Sequence, residues 1–70
     1  MTYDFTDPQV RILAYLRAWV ADHGEPPSLR QLGRGVGMSS PSSVLYQLRR
    51  LEEHGAVRQT DDPRRSWVTC

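Results

Sequence analysis

Lysine is absent from this sequence, and cysteine occurs once, at Cys70. A lone cysteine cannot build a disulfide framework within the chain, and a reducing cytoplasm is the simplest compartment for it. Long apolar runs are missing too. No stretch approaches the roughly 20 residues that a membrane span needs, and Met1-Thr2-Tyr3-Asp4-Phe5 has no signal-peptide core. Repeats, low-complexity tracts and internal linkers are not visible, so the 70 residues read as a single domain over 1–70. That length lies near the lower limit at which one hydrophobic core sustains a fold unaided. His23, His54 and Cys70 lack metal-ligand spacing. Both histidines fall at expected helix ends, where an imidazolium complements the helix dipole. An enzyme, a metal or cofactor site, a small-molecule substrate and a membrane partner are therefore not expected.

The net charge of +1 hides an asymmetry. Residues 1–27 carry Arg11 and Arg17 against Asp4, Asp7, Asp22 and Glu25. Beyond them, Arg30, Arg34, Arg49, Arg50, Arg58, Arg64 and Arg65 face Glu52, Glu53, Asp61 and Asp62. An arginine-rich remainder after a mildly acidic start suits a protein that turns one face to phosphate. The choice of arginine over lysine also fits GC-rich coding, so charge alone does not single out DNA.

Three helix starts can be read in order. Thr6 with Gln9 three positions on forms a capping box, and Ile12, Leu13, Leu16, Trp19 and Val20 then share one helical face with Tyr15 beside it. Gly24 ends this helix. Glu25-Pro26-Pro27 is a stiff connector, because each proline fixes its own φ and restricts its predecessor. Ser28 and Gln31 make a second capping box, with Leu29, Leu32 and Val36 as the buried face and Gly37 as the stop. Gly33 and Gly35 inside that helix cost roughly 1 kcal/mol each relative to alanine, and one of them can allow close approach to a neighbouring backbone. Ser40 as N-cap and Pro41 at the first helical position open the third helix, about 41–54. Its inward residues are Val44, Leu48 and Leu51. Val57-Arg58-Gln59 and Ser66-Trp67-Val68-Thr69 read as strands around a charged turn. The expected fold is α+β and mostly α: a three-helix winged helix-turn-helix with a C-terminal two-stranded β-hairpin wing over 57–69.

Only Gly37-Met38-Ser39 separates the second and third helices, a connection typical of the helix-turn-helix, whose second helix enters the major groove. With Val44, Leu48 and Leu51 inward, the opposite face of the third helix carries Ser42, Tyr46, Arg49 and Glu53, with Ser43 and Arg50 beside them. Leu45 and Gln47 lie on the flanks. Short serines permit close approach and can donate or accept at a base, while Tyr46 offers a hydroxyl and a ring suited to a thymine methyl. Arg49 and Arg50 lie where a helix leaves the groove and meets phosphate. The same residues also describe a solvated, serine-rich helix start with ordinary surface arginines. In the hairpin, Arg64 and Arg65 suit a wing on the DNA backbone better than Arg58, which can sit in a cross-strand pair. Asp61 and Asp62 can simply form the turn.

Gly24-Glu25-Pro26-Pro27-Ser28-Leu29-Arg30-Gln31-Leu32, then Val36-Gly37-Met38-Ser39-Ser40-Pro41-Ser42-Ser43-Val44, with Leu48, Leu51-Glu52 and Gly55, resembles the LexA DNA-binding domain family over nearly the whole chain. The resemblance implies a bacterial transcriptional regulator of operator DNA, with Ser40, Ser42, Ser43, Leu45 and Tyr46 as base readers. Ser28, Arg30, Arg49, Arg50, Arg64 and Arg65 are the expected backbone contacts. Gly33, Gly35 and Gln31 depart from the family's usual helix formers and glutamate. Leu45-Tyr46 stands where the family varies with its operator, so the family's usual site is not implied. The family's second domain uses a serine–lysine pair for self-cleavage, and a chain without lysine cannot perform it. An end at Cys70 with no linker-like tail favours a stand-alone regulator over a fragment.

Double-stranded DNA is thus the expected partner, with a weak homodimer forming on DNA and a cytoplasmic, nucleoid-associated location. The competing expectation is a winged helix that docks on another regulator. An exposed Trp67, Leu45 or Met38 favours docking, whereas arginines around the third helix favour DNA.

Overall fold

The glutamine of the first capping box does more than start a helix. Gln9 Oε1 accepts the backbone N–H of Thr6 at 3.1 Å, and α1 then runs over Asp7–His23. In the computed structural model, which describes residues 5–62 and 67–70, α2 spans Leu29–Val36 and α3 spans Pro41–Glu53. Strands β1 (Val57–Gln59) and β2 (Trp67–Thr69) follow. They pair antiparallel with Val57 opposite Thr69, Arg58 opposite Val68 and Gln59 opposite Trp67. The expected helix and strand order is the observed one.

The core is a single cluster to which every element contributes. Ile12, Leu13 and Leu16 come from α1, Leu32 and Val36 from α2, Val44, Leu48 and Leu51 from α3, and Val57 and Trp67 from the two strands. Each helix contributes at the spacing its sequence announced. Val20 does not follow the pattern. It lies one turn beyond the fully buried Leu16 yet is 37% exposed, because the last turns of α1 run past the elements that cover its middle. Trp19 is half-buried and stacks on His23, with ring centroids 3.9 Å apart and planes 12° from parallel. A ring nitrogen of His23, Nδ1, pairs with the Trp19 carbonyl at 3.1 Å, so this histidine completes a helix end.

Both glycines inside α2 are explained by close contacts. A Cβ on Gly33 would stand 3.1 Å from the Met38 carbonyl oxygen and 3.4 Å from Val44 Cγ2; this is the backbone approach anticipated from the sequence. A Cβ on Gly35 would fall on the Tyr15 ring, at Cε2 and Cζ. Glycine costs helix propensity at these positions, but it lets α1 and α3 close on α2.

Gly35→Ala is accordingly expected to destabilise the fold by about 1 kcal/mol net, the overlap with Tyr15 outweighing the gain in propensity. In a Tyr15→Ala background the same change should raise stability. Urea unfolding of the four chains checks this reversal of sign, and a stabilised Gly35→Ala single variant rules out the Tyr15 contact.

Candidate nucleic-acid interface

The connection between α2 and α3 is built by the end of α2. Gly37 adopts φ +75°, a left-handed conformation that costs glycine nothing. Its N–H donates to the Arg34 carbonyl at 3.3 Å, and the Met38 N–H donates to the Gly33 carbonyl at 2.8 Å. This double closure satisfies two carbonyls of the last turn and reverses the chain within three residues. Met38 folds back, half-buried, onto the core. The chain then extends through Ser40, at φ −103° and ψ 123°, into Pro41 at the start of α3.

The two serine N-caps are used differently. The Ser28 hydroxyl accepts the Gln31 N–H at 3.1 Å while Gln31 Oε1 accepts the Ser28 N–H at 2.9 Å. That reciprocal box holds α2, leaving the Ser28 hydroxyl proton as its remaining donor. Ser40 makes no side-chain cap bond, so its hydroxyl is not spent on the helix. Ser40, Pro41, Ser42 and Ser43 are all exposed, at a helix start whose first N–H groups have no partner within the helix.

Along α3 the structure brings most of the expected base readers to one surface. Ser42 and Ser43 are exposed, and Tyr46, 62% exposed, is the most exposed large apolar side chain among the described residues. Arg49 and Arg50 continue this surface. Arg50 lies 3.7 Å from Glu53; such an exposed pair is weak and leaves the guanidinium available to a phosphate. Leu45 differs from the others. It is half-buried and packs against the core, so only one side of it reaches the surface.

Arg30 and Arg34 lie one turn apart on α2 and are both exposed. With Ser39 and Pro41 they line an open groove of about 250 Å³ between α2 and the start of α3. Arg34 is not among the expected contacts, although its i, i+4 spacing from Arg30 places both on one face. Arg58 is exposed on β1 opposite Val68, an apolar partner, so the pairing gives it no ionic cross-strand neighbour. Thr60 Oγ1 accepts the Asp62 N–H at 3.2 Å, a local turn bond of the kind the sequence suggested. Arg64 and Arg65 lie outside the described residues.

The three residues whose exposure would favour docking on a protein are not fully exposed. Trp67 is 6% exposed and belongs to the core, and Met38 and Leu45 pack against it. The described residues also contain no group of three or more His, Cys, Asp or Glu side chains able to hold a metal. No helix among them is long and apolar enough to cross a membrane.

The family model of the LexA DNA binding domain matches residues 2–66. The chain belongs to this family. A LexA repressor of Mycobacteroides abscessus is 47% identical over 64 residues, covering 91% of this chain and 28% of that protein. LexA repressor 1 of Nocardia farcinica is 53% identical over 51 residues, covering 73% of this chain and 24% of its own length. A LexA repressor of Mycolicibacterium smegmatis is 48% identical over 60 residues, or 86% of this chain and 24% of that protein. The LexA-type chain thus spans about a quarter of the length of these curated relatives.

The unequal use of the two caps has a measurable consequence. Ser28→Ala should cost about 1 kcal/mol of stability through loss of the α2 cap, whereas Ser40→Ala should leave the unfolding midpoint nearly unchanged. Chemical denaturation of both variants checks the contrast, and equal losses rule it out.

Proposed function

We propose that this chain is a sequence-specific, double-stranded-DNA-binding transcriptional regulator of the LexA type. Helix α3 occupies the major groove and the 57–69 hairpin acts as the wing. One observation carries the reading: Tyr46 is 62% exposed in the middle of a polar α3 surface that begins with uncommitted serines and ends in arginines. A large aromatic ring left in solvent there is useful where a base methyl or base edge covers it.

In this reading Ser40, Ser42, Ser43 and Tyr46 meet base edges, with Leu45 offering its exposed side to a methyl group. Ser28, Arg30, Arg34, Arg49 and Arg50 hold phosphates on either side of the groove, and Arg64 and Arg65 extend the contact from the wing. Backbone contacts of this kind set register, while base contacts choose sequence. The role includes no catalytic step and fits a cytoplasmic protein associated with the nucleoid.

A single module of this size buries only about 600–1,000 Å² on DNA. That is too little for one copy to compete against a genome of non-specific sites. Two copies therefore occupy a two-fold or directly repeated site, coupled by weak protein contacts or by adjacent half-sites, as a homodimer that forms on DNA.

Selection of sites from random DNA tests the reading directly. Tyr46→Ala should relax preference at one position by about 1–3 kcal/mol and leave binding to unrelated DNA nearly intact. Recovery of no motif, or equal loss on cognate and unrelated DNA, removes α3 from the groove.

A salt titration tests the wing separately. Log affinity should fall with log salt by roughly 0.9 per phosphate contact, and Arg64→Ala should flatten that slope by about one while weakening all sequences alike. An unchanged slope excludes Arg64 from the interface.

A further inference from the structure

Gln9 is the one buried polar side chain among the described residues, 3% exposed in the first turn of α1. A primary amide has an oxygen that only accepts and a nitrogen that only donates, and burial requires each to find its complement. The Thr6 backbone N–H is a donor. It takes Gln9 Oε1 at 3.1 Å and thereby decides which way the amide faces. Gln9 Nε2 is turned toward α3, where it donates to Gln47 Oε1 at 3.1 Å across 38 residues of sequence. The same reasoning then applies to Gln47. With its oxygen held by Gln9, its NH₂ group is the end that makes no hydrogen bond among the described residues.

Gln47 lies one turn after Ser43 and directly after Tyr46, half-buried on the flank of the α3 surface described above. A free surface glutamine rotates its amide and meets donors and acceptors equally well. This one is held in a single polarity by a backbone N–H at the far end of a two-amide relay.

We propose that Gln47 is a further DNA-contacting residue of α3, with Gln9 as the positioning residue that holds it donor-outward. The contact rests on the groove reading of α3. Its partner on DNA is a hydrogen-bond acceptor: a phosphate oxygen, or a base-edge acceptor such as purine N7, guanine O6 or thymine O4. A fixed donor rejects the amino groups of adenine and cytosine at that place, so the relay acts as a polarity filter on the interface.

The test compares the wild-type chain with Gln9→Glu, Gln9→Met and Gln47→Met. The carboxylate introduced by Gln9→Glu still accepts from Thr6 but has no NH₂, which forces Gln47 to turn its own NH₂ inward and present oxygen to the DNA. Methionine at either position is neutral and of similar volume, so these variants keep the fold if the carboxylate does not. In the free protein, exchange of side-chain amide protons followed by NMR should be fast for Gln47. It should slow in Gln9→Glu or, where that chain does not fold, the Gln9 NH₂ protons should lose their protection in Gln47→Met.

On a site selected by the wild-type chain, Gln47→Met should lose about tenfold in affinity, as for one hydrogen bond to a charged or well-aligned acceptor. Gln9→Met should lose less affinity but relax sequence preference, with its unfolding still cooperative. Equal loss on all sequences assigns the acceptor to phosphate, and loss confined to one base assigns it to a base edge. Protection of the Gln47 amide in the free wild-type protein overturns the relay. Unchanged affinity and preference in Gln47→Met, while the wild-type chain binds its site, overturns the contact alone. A wild-type chain with no affinity for any DNA overturns the groove reading and the contact with it.

Discussion

The Gly33 carbonyl receives the Met38 N–H at 2.8 Å, while its α-carbon lets the Met38 carbonyl approach too closely for a comfortable Cβ and Val44 pack in contact beside it. The placement of the exposed face of α3 depends on this crossing. It sets how near α3 lies to α2, and hence which residues of α3 reach the core. With Val44 fixed against Gly33, Leu48 and Leu51 must follow inward at helical spacing, and Ser42, Ser43 and Tyr46 are carried outward together. A side chain at residue 33 would press on the Met38 backbone carbonyl, which must give by a few tenths of an ångström, rather than on a yielding side chain. Close-packed interiors transmit such shifts. In the proposed function, the contact surface of α3 has little tolerance for them.

A second feature is how unevenly the polar groups are committed. Ser28 and Gln31 exhaust much of their capacity on one another, as does Gln9 on Thr6 and Gln47. The serines that open α3 are not used in this way. Pro41 takes the first helical position without needing a donor partner, and Ser40 keeps its hydroxyl. The helix start is therefore defined by a ring and a dihedral angle instead of a cap bond. Polar atoms that would otherwise stabilise the helix remain open to a ligand. Side-chain cap bonds are concentrated in α1 and α2, whereas the N-cap of α3 makes none.

Much of this was legible in the residues, for physical reasons. Capping boxes, prolines before helices and glycines after them act over three or four residues, so Thr6, Ser28, Pro41 and Gly37 could be placed without tertiary knowledge. The inward face of α3 followed from periodicity alone. The partner of each α2 glycine was not legible, because Gly35 and Tyr15 meet through an angle between helices that no local pattern encodes. Val20 escapes local reading for a related reason: periodicity gives a direction around the helix axis but not where along that axis the covering elements end. Two of the expected contacts, Arg64 and Arg65, rest on composition only and lie outside the described residues.

Gln9 marks the limit of local reading most clearly. Its role as a capping residue is visible from its distance to Thr6, and that role accounts for only one end of the amide. A side chain with a donor and an acceptor at fixed ends must satisfy both when buried, so a capping glutamine inside the core has to touch a second element. That element is α3. In the proposed contact, the polarity set by a bond in the α1 cap passes to Gln47, and the group that begins the first helix constrains what the third would recognise.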